Sequence, residues 1–312
     1  MGGFGSGSGS GSSHGDRSDI VADAEAFVRL ELAGIDGSHD WWHINRVRTL
    51  ALSLASEERL PAASLEVVEL AALLHDVRDW KYSGDVDAGA DAVREWLTCR
   101  GYPDDKAAAI VDIISRMGFK EELASAAKKQ TAKGGEGRAE ELSREFKVVQ
   151  DADRLDAIGA IGIARTFCYG GAKGDPMHVP GVGPREKLTK EQYMSSNSGG
   201  RDGGGGSGSG SGGSDGGGGG GGGVLLGNGT SGATPLDSGR QLSAPQPISG
   251  GGGGRGGGAN PHVNTTINHF HEKLLTLKGL MKSEAGRRRA EKRHRTMLEF
   301  LEHFHAEWDG NE

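Results

Sequence analysis

Glycine divides this chain more sharply than any other feature of its sequence. Of 56 glycines in 312 residues, 37 fall within 79 positions, residues 1–15 and 195–258, and the other 233 residues hold 19. That second density is close to the ~7% of ordinary globular proteins. One Gly/Ser tract therefore precedes, and another interrupts, a chain of normal composition. Neither tract carries enough apolar surface to offset the entropy of ordering it, and Val224-Leu225-Leu226 is only a small island in the longer one. The expected organisation is a disordered tail over 1–16, a helical core over 17–194, a disordered Gly-rich insertion over 195–258, and C-terminal helices over 259–312 that complete the same domain. An insertion of 64 residues costs little if its ends are close, because closure entropy grows only with the logarithm of length. The glycines cluster and do not recur every third residue, which excludes a collagen helix.

Within the core, apolar residues recur at helical spacing. Val47, Leu50 and Leu54 follow His43 at steps of four, three and four, and Ile20, Ala24, Phe27, Val28 and Leu32 share one face from Ser18 onward. The segment LEVVELAALLHDV, after Pro61, is apolar nearly all round, as a helix at the centre of a domain must be. Further helices are expected near 85–99, 103–116, 138–150 and 152–167, with a C-terminal pair over 267–281 and 284–307. No alternating strand pattern is present, so the expected fold class is all-α. No apolar run approaches the length of a membrane span. The net charge of −7 argues against a surface built wholly to grip nucleic acid. Cys99 and Cys168 are too few for a disulfide framework, and the N-terminus has neither secretory nor transit character. A cytoplasmic chain with free thiols is expected.

The central helix closes on Leu73-Leu74-His75-Asp76. Two polar groups at the end of an apolar helix need partners, since burying them alone costs several kcal/mol. His43 lies in WWHINRV, inside the apolar stripe of the preceding helix. KVVQDADRLDAIGAIGIA places Asp151, Asp153 and Asp156 beside another apolar stretch. Two imidazoles and two carboxylates make a mixed nitrogen and oxygen set suited to a divalent metal with open positions.

These three motifs, in this order and on helices, resemble the HD-domain metal-dependent phosphohydrolases, and among them the stand-alone YedJ/YpgQ-like hydrolases. The likeness is carried by SHDWWHINRV, ELAALLHDVRDWK, VVQDADRLDAIGAIGIARTF and HFHEKLLTLKGLM, with a final helix ending FLEHFHAEW. It covers nearly all of residues 20–180 and 262–308, and it implies an HD-domain helical bundle. It also implies His43, His75, Asp76 and Asp153 as ligands of one divalent ion, with Mn²⁺ favoured and Fe²⁺, Ni²⁺, Zn²⁺ or Mg²⁺ as alternatives. Asp151 is the other candidate for the fourth ligand; residues two apart lean to different faces of a helix, so only one can reach the metal. His39, one turn before His43, falls just outside the helix if Asp40 caps it.

Asp79 lies one turn beyond His75 and is the expected catalytic residue, orienting water or transferring a proton. Lys81, Lys120 and Arg154 are the expected substrate-binding cations. The implied reaction is hydrolysis of a small phosphorylated substrate, a nucleoside triphosphate cleaved to monophosphate and pyrophosphate. A phosphomonoesterase and a non-catalytic nucleotide-sensing or partner-binding module are the alternatives. The run GRRRAEKRHR over 286–295 reads as a solvated helix face, so nucleic acid is not an expected partner.

Overall fold

Residues 17–34, 37–78, 88–131, 141–185, 192 and 264–311 are described by a computed structural model. Asp79, Lys81, the tail over 1–16 and the insertion over 195–258 lie outside the described residues. Among the described residues there are ten α-helices, one 3-10 helix and no strand. They are α1 (Arg17–Glu31), α2 (Trp41–Glu57), α3 (Ala62–Leu74), α4 (Ala88–Cys99), α5 (Asp104–Arg116), α6 (Phe119–Thr131), α7 (Arg144–Asp156), α8 (Gly159–Lys173), α9 (Thr266–Glu272), the 3-10 helix (Leu274–Leu280) and α10 (Glu284–Trp308). None is long and apolar enough to cross a membrane.

The centre is α3. Every residue from Val67 to Leu74 is buried, and α1, α2, α5 and α7 pack around it. Its near-uniform apolarity has this cause: a helix covered on nearly all sides leaves little face for charge, and its buried carboxylate, Glu69, accepts from Arg48 Nε at 2.8 Å. Leu70, Leu73 and Leu74 are fully buried, so truncating any one to Ala costs about 2–5 kcal/mol. Next to it, α2 begins where the Asp40 carboxylate accepts a hydrogen bond from the His43 amide at 3.0 Å, satisfying one of the donors a helix start leaves over.

Two boundaries differ from expectation. A break was expected near residue 151, but α7 runs on to Asp156 and the chain turns at Ala157-Ile158. Gly159 takes φ +77° there and abuts Arg293, so a side chain at this position would be both strained and blocked. The Asp-rich motif is therefore one continuous helix. The expected helix over 267–281 instead stops at Glu272 and resumes as a 3-10 helix. The three-residue turn puts Leu274 and Leu277 on one side, and both are buried. Helix α6 was not expected at all; FKEELASAAKKQT has too few apolar residues to show a stripe.

Helix α10 packs on α2, α7, α8 and the 3-10 helix. Its N-cap is Ser283, whose hydroxyl accepts from Gly286 N at 3.0 Å. The same hydroxyl donates to Asp151 Oδ2 at 2.6 Å, and the amides of Lys282 and Ser283 donate to that carboxylate at 2.8 and 2.7 Å. A Cβ on Gly286 would collide with Asp151, so this close approach requires glycine. The basic run is largely engaged. Arg288 pairs with Glu57 at 2.9 Å, Arg289 pairs with Glu57 and donates to Ser53 Oγ, and Arg293 donates to Leu155 O. These arginines fasten α10 to α2 and α7, where the sequence had suggested only a solvated face.

The segments on either side of the Gly-rich tract meet. Thr266 N donates to Pro176 O at 3.0 Å, Ile267 N to Met177 O at 2.9 Å, and Asn264 Nδ2 to Asp175 Oδ2 at 3.1 Å.

Candidate metal centre

Three helices deliver four side chains to one point. His43 comes from the first turn of α2, where the Asp40 cap fixes the backbone, and it is 1% exposed. His75 and Asp76 follow the last turn of α3, and Asp153 sits in the penultimate turn of α7. His43 Nε2 lies 3.3 Å from Asp76 Oδ2 and 3.7 Å from Asp153 Oδ1. His75 Nε2 lies 3.5 Å from Asp76 Oδ1 and 3.8 Å from Asp153 Oδ1.

The far nitrogen of each imidazole decides what the near one can do. His43 Nδ1 is 2.8 Å from Asp156 Oδ2, and His75 Nδ1 is 2.9 Å from Ala72 O. A carboxylate and a carbonyl can only accept, so both Nδ1 atoms carry hydrogen, and each neutral ring turns its Nε2 lone pair toward the cluster. His75 Nε2 and Asp76 Oδ2 are buried with no hydrogen-bond partner. Buried polar atoms are rarely left so, and two converging ones suit the binding of a cation. His43, His75 and Asp153 each offer an atom within 4.8 Å of the others, a group able to hold a metal ion.

The electrostatics of the cluster agree. Burial raises the Asp76 pKa, but the His75 and His43 rings, with His39 behind them, hold it well below the usual carboxylate range. For His43, burial and the Arg165 charge act to lower the pKa, and the Asp156 and Asp76 carboxylates outweigh them, so it is raised. The site therefore favours positive charge.

Asp156 and Arg165 are the residues the motif reading missed. Asp156 is buried on α7 one turn beyond Asp153, and beyond His43 it accepts from Arg46 Nε at 2.8 Å and lies 3.1 Å from Arg165 Nη1. Burial would push its pKa up; His43 and the two guanidiniums hold it well below the usual range. The signal was present, since Asp153 and Asp156 are three apart and share a helix face.

A cavity of about 210 Å³ opens on the cluster, with His75, Asp76 and Asp153 on one wall and Lys120, Arg165 and Lys273 on others. Lys120 is buried here, with its Nζ 3.8 Å from Glu121 Oε1. Arg154 also borders the cavity, but its guanidinium donates to Leu280 O at 2.6 Å and Glu122 Oε2 at 2.8 Å, away from the cluster. His39 lies outside the ligand group, its ring 5.8 Å from that of His43. Asp151 is on the opposite side of α7, holding Ser283.

The HD domain family matches residues 41–158, which include all four of these side chains. The uncharacterised protein YpgQ of Bacillus subtilis (strain 168) is 39% identical over 152 residues, 49% of this chain and 67% of that protein. The chain belongs to the HD-domain family. A solved structure from Lactobacillus plantarum superposes with a TM-score of 0.60 at 28% identity, covering 94% of this chain and 98% of that one. An HD-superfamily hydrolase from Bacillus thuringiensis gives 0.52 at 29% identity over 94% and 98%. YpgQ itself has been solved in complex with ADP, with a TM-score of 0.51 at 25% identity over 93% and 96%. In its described helices this HD-domain chain thus shares the fold of HD-superfamily hydrolases.

Proposed function

We propose that this HD-domain chain is a metal-dependent phosphohydrolase that cleaves nucleoside triphosphates to monophosphate and pyrophosphate. One observation carries the reading: the buried, unpartnered His75 Nε2 and Asp76 Oδ2 converge with His43 and Asp153 on a cavity lined by cations. His43, His75, Asp76 and Asp153 would hold one divalent ion, Mn²⁺ in the first instance. A bound divalent ion lowers the pKa of water and polarises a phosphoryl oxygen.

The remaining chemistry falls to side chains. Asp156 holds the His43 ring so that Nε2 points at the cluster. Lys120, with Arg165 and Lys273 across the cavity, neutralises phosphate charge, and Arg154 supports this wall through Glu122 and Leu280. Asp79 orients or deprotonates the attacking water, and Lys81 adds a further phosphate contact; both lie outside the described residues. The bound ADP in YpgQ supports a nucleotide as the substrate class. The test is product identity. Purified Mn²⁺-loaded protein with a nucleoside triphosphate should release pyrophosphate first. Orthophosphate as first product, or no turnover, overturns the reading.

A further inference from the structure

One buried polar side chain on α7 has no part in the chemistry above. Gln150 is 1% exposed. Its Nε2 donates to Met117 O at 2.9 Å, and its Oε1 is buried with no hydrogen-bond partner. An amide left half satisfied inside protein costs free energy that an apolar side chain of similar size does not, so packing alone gives no reason for it. We propose that Gln150 is a positioning residue that sets Lys120 in the phosphate-binding wall of the cavity. Its role rests on the phosphohydrolase reading, in which Lys120 meets phosphate.

Met117 caps the end of α5, and α6 begins at Phe119, so Lys120 lies in the first turn after a two-residue corner. The last carbonyls of α5 have no donor within the helix, and Gln150 supplies one to Met117. The same helix, α7, holds the corner a second time. Arg154, one turn beyond Gln150, donates to Glu122 Oε2 at 2.8 Å. Lys120 is therefore placed between two residues, Met117 and Glu122, that α7 grips one turn apart. Asp153 belongs to that same turn, with its carboxylate 3.7 and 3.8 Å from the His43 and His75 nitrogens. One rigid turn of helix thus carries a candidate metal ligand and both grips on the segment that delivers the cation.

Backbone placement matters more for lysine than for a short side chain. Its ammonium is a point charge on a flexible four-carbon stem, so the position of the stem decides what the charge can reach. Lys120 is buried on the cavity wall, with Glu121 Oε1 3.8 Å from its Nζ. Phe119, at the same corner, has Lys273 Nζ 5.2 Å from its ring centroid, so the corner also bears on a second cation of the cavity. A misplacement of ~1 Å in such groups can cost about a hundredfold in rate.

Calorimetric titration of the full chain with pyrophosphate in Mn²⁺ buffer tests the assignment, with Mn²⁺ affinity measured separately. Gln150→Leu and Gln150→Met remove the amide and keep most of its bulk. Circular dichroism checks that each is folded, and either folded variant decides the matter. Each should weaken pyrophosphate about tenfold and leave Mn²⁺ affinity within about twofold of the wild type. Lys120→Ala should weaken pyrophosphate at least as much, and adding Gln150→Leu to it should change nothing further, because a residue that acts through Lys120 has no effect without it. Unchanged pyrophosphate affinity in a folded variant, parallel loss of Mn²⁺, or effects that add in the double variant overturn the assignment. So does a wild type that does not bind pyrophosphate, and failure of both variants to fold would make Gln150 a core residue. The expected pattern in a protein that turns over no nucleoside triphosphate would support the role of Gln150 while the hydrolase reading fell. Pyrophosphate release by a protein whose Gln150 variants bind normally would do the reverse.

Discussion

On one face of α7, Asp153 and Asp156 look toward His43; on the opposite face, Asp151 holds the start of α10. Asp151 and Asp153 are two residues apart, about 200° around a helix, whereas Asp153 and Asp156 are three apart and nearly aligned. Burial would choose between them wrongly. Asp151 is fully buried, and its carboxylate accepts from two amides and a hydroxyl, while Asp153 is 33% exposed at its side chain and opens on the cavity. The difference teaches that a candidate ligand is marked by a carboxylate facing a space, and an anchor by one whose hydrogen bonds are completed by protein.

The largest expected effect strikes the open face. Asp153→Asn should lower turnover by about a hundredfold or more, because the metal loses a charged ligand that tunes its water. Metal content should fall with it, while circular dichroism stays native. His43→Ala, His75→Ala and Asp76→Asn should behave alike. An Asp153→Asn protein that retains metal and rate would place the ligand elsewhere.

Asp151→Ala should show the reverse pattern. It leaves the donors of Lys282 and Ser283 without an acceptor, at roughly 1–3 kcal/mol, and calorimetry should record a lower Tm with metal content per folded molecule unchanged. Loss of metal before loss of stability would dissolve the contrast between the faces.

Asp156→Asn should fall between the two. It keeps an acceptor for the His43 ring but removes the charge that holds the tautomer, so Mn²⁺ affinity should drop by about tenfold with the fold intact. Direct metal titration reads this without reference to activity.

The smallest effect belongs to the anchoring face. Glu122 bridges Arg154 and Lys282, at 2.8 and 3.0 Å. Burial alone would raise its pKa, and these two cations outweigh it, so the value is lowered. A lowered carboxylate pKa means stability that is present above the ordinary glutamate value and lost as pH falls through the folded one. Melting curves should thus decline on acidification below about pH 4.3, and Glu122→Gln should flatten that decline by under about 1 kcal/mol. An unaltered slope would show that the bridge carries no such contribution.

Much of the architecture could be read from the chain. Apolar periodicity located α1 to α5 within a few residues, since burial of a helix face is written into its own spacing. It failed at α6, which has no stripe, and at the α7–α8 boundary, where the stop depends on Gly159 lying against Arg293 more than a hundred residues away. The positions of His43, His75, Asp76 and Asp153 were also visible, because each is polar where its neighbours require an apolar residue.

What the sequence determined by itself is the all-α class, the central α3, and four polar residues that burial alone could not justify. The tertiary structure put Asp153 beside the two imidazoles and Asp151 against Ser283, which begins a helix distant in sequence. It also turned Arg154 toward Leu280 and Glu122, gave Asp156 the His43 ring to hold, and brought Arg165 to the edge of the cavity. The reason is common to all four cases. Helical spacing fixes which side chains share a face, but the partner each face meets is set by docking between segments, and local sequence carries no record of that partner.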